Sequence, residues 1–319
     1  MLSEVKGQDD AVRYLRRMVE GRYTSPLLLV GEDGVGRRFS AMQAIVEMFC
    51  KGERAEGCTC RSCKQIAQEM HPDLTVITPA DGKDIGVADV RSIVEDAQTY
   101  PSTAPVRVFL VDGADRFTTP AANAFLKTLE EPPDTTRFLL IASSPDEVIP
   151  TIRSRCGIVQ YRRLPEAFII SMLSRFESDP VKALVYARLA DGSAGRAIRL
   201  WGSGQIRLRD QFLGLVKSGF SGDAPALFSG VDDVASDMAQ GMRFLEHLLH
   251  DLLMVQHDPD KLINRDIESE LRAVRARLRP GVLERFATGL KELQRRQKSA
   301  AINVPFHLKT LLLQSSMPV

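Results

Sequence analysis

The segment PLLLVGEDGVGRRFSAMQAIVEMFC, residues 26–50, decides the fold class. The apolar run Pro26–Val30 predicts a short buried strand, and the apolar spacing from Arg38 to Cys50 predicts a helix. Between them, GEDGVGRR at residues 31–38 has the glycine spacing of a phosphate-binding loop, G-x-x-x-x-G-K-[ST]. A strand, a glycine loop and a helix in this order predict the first unit of an α/β domain with a parallel sheet.

The rest of the chain divides into a first half with strands and a second half without them. Further apolar runs predict strands over residues 74–77, 108–111, 138–142 and 158–161. After residue 165 the apolar spacing is only helical, for example over residues 238–256 and 282–298. We therefore expect an α/β domain with helices on both faces of its sheet, followed by two helical domains. The expected ranges are 1–162, 163–205 and 206–319, with the last joint at the glycine-bearing segment 202–204.

The composition is that of an ordinary globular protein. The chain has 319 residues, of which 44% are hydrophobic and 26% charged, and its formal net charge is +1. This balance excludes a protein that its overall charge alone would hold on nucleic acid or on an anionic membrane. The first ten residues do not form a signal peptide, and no stretch approaches the roughly 18 apolar residues of a membrane-spanning helix. We expect a cytoplasmic protein.

Two side chains in the glycine loop depart from the phosphate-binding pattern. Arg37 stands where the pattern has the lysine that reaches the terminal phosphates, and Arg38 where it has the hydroxyl residue that binds magnesium. The backbone around Gly31, Gly34 and Gly36 can still cradle phosphate, but the planar fork of arginine is a poor replacement for lysine. A glycine turn that only joins strand to helix is the alternative interpretation, and binding of ATP stays open.

The acidic end of a later strand is altered as well. The run 108–111 is followed by Asp112, the arrangement by which such ATPases place a carboxylate near magnesium. The next residue is Gly113, where these enzymes have the glutamate that activates water, and Asp115 is misplaced for that task. The two losses together predict little or no ATP turnover.

Four of the five cysteines are close together in the sequence. Cys50, Cys58, Cys60 and Cys63 lie within fourteen residues and provide the four ligands of a closed, structural zinc site. The C-x-C spacing of the middle pair is unusual, but the small and polar residues around it allow all four thiols to reach one ion. We expect structural zinc, with free thiols or an iron–sulfur cluster as alternatives. Cys156 is expected to be a buried apolar side chain.

A long segment in the first half resembles a known family. Residues 111–156, VDGADRFTTPAANAFLKTLEEPPDTTRFLLIASSPDEVIPTIRSRC, closely resemble the sensor and arginine-finger region of bacterial clamp-loader subunits of the AAA+ superfamily. Gly7-Gln8, the cysteines, His71-Pro72-Asp73 and residues 87–91 follow in the order seen in that family. The resemblance is good over residues 1–200 and weaker beyond. It implies an AAA+ P-loop domain, a small helical lid domain and a C-terminal helical collar domain.

The resemblance also implies roles for individual residues. Ser154-Arg155-Cys156 resembles the finger motif, in which Arg155 reaches into the ATP site of a neighbouring subunit and stabilises charge on the transferred phosphoryl group. Ser143 matches the polar position that senses the terminal phosphate, and Arg196 lies near the second sensor of the lid. A surface arginine and a turn-forming serine are the alternative interpretations of Arg155 and Ser143.

The altered loop separates two branches of this family. Gamma/tau subunits keep the lysine, the hydroxyl residue and the catalytic acid, whereas delta-prime subunits commonly lose them and keep the arginine finger. The chain has the delta-prime pattern, which implies a non-hydrolysing subunit of the DNA polymerase III holoenzyme that helps load the sliding clamp onto primed DNA. The alternatives are an active gamma/tau-like ATPase and a stand-alone zinc module that binds nucleic acid.

The partners that the resemblance implies are the other subunits of the same assembly. They are gamma/tau and delta subunits in a hetero-pentamer, the sliding clamp, and primer-template DNA contacted through the assembly rather than by this chain alone. No membrane partner is expected. Membership of the holoenzyme would place the chain with DNA-directed DNA polymerases, although it is no polymerase by itself.

Overall fold

The computed structural model describes residues 1–52, 57–80, 83–299 and 302–316, which fold into two compact units. The first unit contains Met1–Phe168 together with Gly192–Gly195. The second contains Ile169–Asp191 and Arg196–Val319. The predicted joint at residues 202–204 lies between two helices of the second unit, and the division of that unit at residue 205 stays a prediction.

The first unit is built around a five-stranded sheet. Its strands lie in the order β2-β3-β4-β1-β5, and every neighbouring pair is parallel, which confirms the predicted sheet type. Each predicted apolar run is a strand within one or two residues of its predicted bounds. The strands are β1 (Leu27–Val30), β2 (Leu74–Ile77), β3 (Arg107–Asp112), β4 (Thr136–Ala142) and β5 (Gly157–Gln160).

Helices cover both faces of this sheet. Alternate residues of β1 point to opposite faces, so that Leu27 and Leu29 enter one apolar core and Leu28 and Val30 enter the other. The first core is closed mainly by α1 and α2, and the second by α4 and α5. The helices of the first unit are α1 (Asp9–Val19), α2 (Arg37–Phe49), α3 (Arg61–Ala67), α4 (Val87–Ala97), α5 (Thr119–Glu130) and α6 (Pro150–Arg153).

The His71-Pro72-Asp73 motif has a structural role in this unit. Asp73 is fully buried, and its carboxylate accepts hydrogen bonds from the backbone of Ser102 at 2.5 Å, Thr103 at 2.8 Å and Ala104 at 2.8 Å. Burial opposes ionisation, but these N–H groups hold the pKa of Asp73 below its ordinary value. The charged carboxylate therefore fixes the loop that leads into β3.

The second unit consists of helices, as the sequence predicts from residue 165 onward. The predicted helices over residues 238–256 and 282–298 are confirmed with small shifts of their ends. The elements from α7 onward are α7 (Glu166–Leu173), α8 (Pro180–Ala190), α9 (Ala194–Gly202), α10 (Ile206–Ser221), α11 (Ala224–Asp233), α12 (Met238–Met254), α13 (Glu268–Arg277), α14 (Val282–Ser299) and α15 (Val304–Ser316). None of the helices in the described ranges combines the length and apolar character that a membrane span requires.

A buried carboxylate organises the second unit too. Asp251, on α12, is fully buried and accepts hydrogen bonds from the backbone N–H groups of Ile263 at 2.7 Å and Asn264 at 2.8 Å. The side-chain amide of Asn264 donates a further bond to the same carboxylate at 2.7 Å. These bonds tie α12 to the segment that leads into α13.

Candidate functional site

The glycine loop connects β1 to α2 with the backbone that its sequence predicts. Gly31, Gly34 and Gly36 all have positive φ angles, of 155°, 78° and 102°. At Gly31 a Cβ atom would lie 2.9 Å from the Cβ and the carbonyl oxygen of Tyr161, so a side chain does not fit there. Gly36 is the N-cap of α2, and the loop therefore ends where the helix presents its unpaired N–H groups.

The side chain of Arg38 bridges two carboxylates beside the loop. Its Nη1 donates to Asp112 Oδ2 at 2.8 Å and to Thr78 Oγ1 at 3.2 Å, and its Nη2 donates to Glu69 Oε1 at 2.6 Å. Burial lowers the pKa of Arg38, but the hydrogen bonds to Asp112 and Glu69 outweigh it and raise the pKa above its ordinary value. Arg38 therefore stays positively charged and pairs with the carboxylate of Asp112 at the end of β3.

The side chain of Arg37 is also engaged within the chain. Its Nη1 donates to the backbone carbonyl of Ala142, the last residue of β4. Burial lowers the pKa of Arg37, while the nearby carboxylates of Asp112, Asp33 and Asp115 oppose that shift. The arginine that replaces the phosphate-binding lysine is thus held on the neighbouring strand.

Gly113 cannot easily be exchanged for a residue with a side chain. Its φ angle is +123°, a conformation that residues with a Cβ atom rarely adopt. A Cβ atom there would also lie 3.0 Å from Cγ and 3.1 Å from Cδ of Pro79. The position after Asp112 therefore lacks a water-activating group, and the local backbone is built for glycine.

The two predicted sensor residues lie in different units. Ser143 directly follows β4 and is exposed beside the loop, since β4 pairs with β1. Arg196 belongs to the second unit, where its Nη1 donates to the carbonyl of Ala190 at 3.4 Å. Their roles as sensors stay predictions.

A short segment of the first unit rests on the glycine loop. Ser193 Oγ donates to the carbonyl of Asp33 at 2.8 Å, and the backbone N–H of Gly195 donates to the carbonyl of Gly34 at 2.9 Å. These bonds attach the start of α9 to the loop, a contact that sequence reasoning did not predict.

Arg155, the predicted arginine finger, follows the short helix α6. Its Nη1 donates to the carbonyl of Thr151 at 2.9 Å and, more weakly, to Ser154 Oγ at 3.4 Å. Its Nη2 forms an ion pair with Glu130, the last residue of α5. The side chain keeps 27% of its surface exposed, although its Nε atom is buried. The structure thus brings Arg155 together with a glutamate to which the sequence analysis gave no role.

The residues that flank Arg155 have different surroundings. Arg153 Nη1 contacts Asp146 at 2.8 Å and the carbonyl of Pro145 at 3.0 Å. Cys156 is partly buried against the core that contains α5, and burial raises the pKa of its thiol to about 12. A neutral, apolar Cys156 agrees with the sequence interpretation, although the side chain is only partly buried.

The four clustered cysteines converge in the structure. All four Sγ atoms lie within 4.8 Å of one another, and those of Cys50 and Cys58 are 3.6 Å apart. A zinc–sulfur distance of about 2.3 Å places the sulfurs of a tetrahedral site about 3.8 Å apart, so the cluster fits a zinc ion. Backbone N–H groups of Cys63 and Lys51 lower the pKa of Cys60 to about 6, whereas burial raises the pKa of Cys63 above its ordinary value.

The chain closes tightly around this cluster. At Gly52 a Cβ atom would lie 2.8 Å from Cys58 Sγ, so a larger residue would push the thiol away. Cys50 and Cys63 are buried, whereas Cys58 and Cys60 are half-buried. The four cysteines could therefore hold a metal ion, and four thiol ligands are the set that closed, structural zinc sites use.

The cysteine cluster and Arg38 hold the same pair of helices at opposite ends. Cys50 ends α2 and Cys60 begins α3, whereas Arg38 lies in the first turn of α2 and Glu69 follows the end of α3. Glu69 has a φ angle of +57°, in a position where helix ends favour glycine. No motif in the sequence marks Glu69, because both its φ angle and its contact with Arg38 are visible only in the structure.

Comparison with known proteins identifies the family of the chain. A family model described as "DNA polymerase III, delta subunit" matches residues 7–165. DNA polymerase III subunit delta' of Escherichia coli is 32% identical over 228 residues, which span 70% of this chain and 68% of that protein. DNA polymerase III subunit gamma/tau of Mycobacterium tuberculosis strain H37Rv is 28% identical over a gapped alignment of 335 positions, which covers 92% of this chain but only 57% of that protein.

A solved structure supports the fold. The gamma subunit-related protein of DNA polymerase III from Thermotoga maritima superimposes with a TM-score of 0.54 and 20% identity, and the match covers 97% of this chain and 99% of that one. Together with the parallel strand order β2-β3-β4-β1-β5, this likeness shows that the chain shares the fold of that protein. The identity to the Escherichia coli protein, over two thirds of its length, shows that the chain belongs to the DNA polymerase III delta' subunit family.

Proposed function

We propose that the chain is a clamp-loader subunit of the DNA polymerase III holoenzyme that does not itself hydrolyse ATP. It supplies Arg155 to the ATP site of a neighbouring subunit and helps load the sliding clamp onto primed DNA. The observation that supports the absence of ATP hydrolysis is the ion pair between Arg38 and Asp112, 2.8 Å apart beside the glycine loop.

The two residues of this ion pair stand at the positions where P-loop ATPases have the two protein ligands of a magnesium ion. In P-loop ATPases a hydroxyl residue of the loop and an aspartate at the end of a strand hold magnesium against the phosphates. In this chain the hydroxyl is absent, and the guanidinium that stands in its place neutralises the aspartate. A divalent cation would have to displace Arg38 from both Asp112 and Glu69, and the loop offers no hydroxyl group at position 38 to help hold it.

Two further features support a site without hydrolysis. Arg37 donates to the Ala142 carbonyl, and a glycine at position 113 leaves no side chain to activate water. An active gamma/tau-like ATPase would need the metal ligands and the base that these positions lack. The likeness to gamma/tau subunits therefore reflects the shared fold more than a shared active site.

The surroundings of Arg155 support the role in trans. An arginine finger must present a guanidinium beyond the surface of its own subunit, and Arg155 is held at the end of α6 with part of its side chain exposed. In the neighbouring site it would stabilise the charge that develops on the transferred phosphoryl group. Ser154 supports this placement, because its Oγ donates to the Thr151 carbonyl at 3.2 Å and lies beside Arg155.

The proposed partners follow from this role. They are gamma/tau and delta subunits in a hetero-pentamer, the sliding clamp, and primer-template DNA reached through the assembly. The helices over residues 206–319 would form a collar with their counterparts, since amphipathic helices bury their apolar faces against partners. Structural zinc in the cysteine cluster would stabilise the first unit, and the nucleotide loop would hold at most a phosphate group without magnesium.

The test is ATP turnover by the isolated chain and by the reconstituted assembly. The isolated chain with magnesium should show no hydrolysis above background, and the Arg155→Ala variant should assemble normally but lower DNA-stimulated turnover of the assembly. Magnesium-dependent hydrolysis by the isolated chain would refute the first part. Unchanged turnover with Arg155→Ala would refute the second. A reference variant should carry Arg37→Lys and Arg38→Thr without Gly113→Glu, because a side chain at 113 meets Pro79.

A further inference from the structure

We propose that Glu130 is the positioning residue for Arg155, holding its guanidinium in the orientation that a neighbouring ATP site requires. This inference rests on the proposed role of Arg155 in trans. Glu130 is the last residue of α5, and its carboxylate forms an ion pair with Nη2 of Arg155.

The guanidinium has two main anchors, and Glu130 is one of them. Nη1 is held by the Thr151 carbonyl at 2.9 Å, whereas Nε is shielded from solvent and has no hydrogen-bond partner in the structure. The orientation of the planar group therefore depends on Thr151 at one nitrogen and Glu130 at the other. Of the five N–H bonds of the guanidinium, Nη2 keeps one that the ion pair with Glu130 does not use, and this bond remains for a phosphate oxygen.

The stability of α5 does not explain a glutamate at this position. The C-terminal end of a helix carries partial negative charge, which disfavours a carboxylate there. Glu130 and its exposed neighbour Glu131 both lie at this end, where a basic residue would be the better choice. The ion pair with Arg155 offsets the unfavourable placement of Glu130, which points to a role of that carboxylate outside its own helix.

Positioning and competition make opposite predictions for the same variants. If Glu130 orients Arg155, removing the carboxylate leaves Nη2 unanchored. The guanidinium then samples more orientations, and a smaller fraction of them reaches the phosphoryl group. If Glu130 instead competes with the phosphate for Arg155, removing it frees the arginine and accelerates ATP turnover. Glutamine separates charge from orientation, because its amide oxygen still accepts the hydrogen bond.

The experiment measures single-turnover ATP hydrolysis by the reconstituted assembly with clamp and primed DNA. Glu130→Ala should lower the rate at the site that Arg155 serves by about tenfold, with the KM for ATP unchanged. Glu130→Gln should recover most of that loss, and the matched control Glu131→Ala should behave as the unmodified assembly. Assembly and melting temperature should stay unchanged in all three variants.

The outcomes of this experiment distinguish the positioning role of Glu130 from the proposed role of Arg155. A rate for Glu130→Ala that equals or exceeds that of the unmodified assembly, while Arg155→Ala is slow, would overturn the positioning role and leave the proposed function standing. No loss with Arg155→Ala would overturn the proposed function and this inference with it. A slow Glu130→Ala variant that also melts lower, or that Glu130→Gln does not rescue, would show a structural role and refute positioning.

Discussion

The Arg38 guanidinium and the Asp112 carboxylate form an ion pair of 2.8 Å between the first turn of α2 and the end of β3. Glu69 contacts the other terminal nitrogen of the same guanidinium at 2.6 Å. The loop therefore carries its own fixed cation at the acidic strand end. This relationship has consequences for stability as well as for magnesium binding.

Replacing Arg38 should have a modest effect on stability. All three side chains are partly exposed, so solvent screens the pairs, and Arg38→Ala should lower the free energy of unfolding by only about 1 kcal/mol. Arg38→Lys should lose about half of that, because a single ammonium cannot bridge both carboxylates as the fork does. Urea unfolding at low and high salt measures this, and a loss that is the same in 1 M salt would contradict an electrostatic origin.

Restoring a glutamate after Asp112 should destabilise the protein. Gly113→Glu forces a residue with a Cβ atom into a φ angle of +123° and against Pro79, which should lower the free energy of unfolding by about 2–4 kcal/mol. The control is Gly36→Ala, because Gly36 also has a positive φ angle but open space at its Cβ. Equal losses for the two variants in thermal unfolding would show that the contact with Pro79 does not matter.

Removing metal should destabilise the first unit before the second. The cysteine cluster joins the end of α2 to the start of α3, and a bound structural ion contributes its binding free energy to folding. Purified protein should contain one zinc per chain by elemental analysis, and a strong chelator should lower the melting temperature. Cys60→Ser should have the same effect without chelator, with Cys156→Ser as the control outside the cluster. Protein without zinc that melts at the same temperature would refute the site.

Acid should remove the contribution of Asp73 to stability. Its pKa in the folded chain lies below the ordinary value, so its stabilisation is complete above about pH 4 and disappears as the pH falls below that. Asp73→Asn should lower the free energy of unfolding at pH 7 by about 2–3 kcal/mol, because backbone N–H groups at residues 102–104 lose a charged acceptor. Between pH 5 and pH 3 the variant should lose less stability than the unmodified chain, by up to about 1 kcal/mol, because a single carboxyl group changes stability by at most about 1.4 kcal/mol per pH unit below its unfolded pKa. Parallel pH profiles would contradict this assignment.

The local elements of the first unit could be predicted because their signals are local. An apolar run followed by glycines and an apolar-periodic segment predicts β1, the loop and α2 within a residue of their observed ends. The convergence of the four cysteines also follows from proximity in sequence, since a short segment brings them together. The ends of strands were harder to predict, because hydrogen bonds to neighbouring strands determine them.

The partners of the long side chains could not be predicted. Arg38 meets Asp112 across 74 residues of sequence, Arg37 meets Ala142 across 105, and Arg155 meets Glu130 across 25. An arginine has several rotatable bonds, and its destination depends on which strand ends and helix ends the sheet order brings within its reach. No periodicity or motif contains that information.

By itself, the sequence determined that the chain has a parallel α/β unit with a glycine loop, a four-cysteine cluster and a loop without the lysine and hydroxyl of an ATPase. Those properties depend on residue type and short-range spacing. Only the tertiary structure decided that Arg38 neutralises Asp112, that Gly113 is confined by Pro79 and that Glu130 holds Arg155. The physical reason is that ion pairs and close contacts act over a few ångströms in space, and folding alone determines which distant residues come that close.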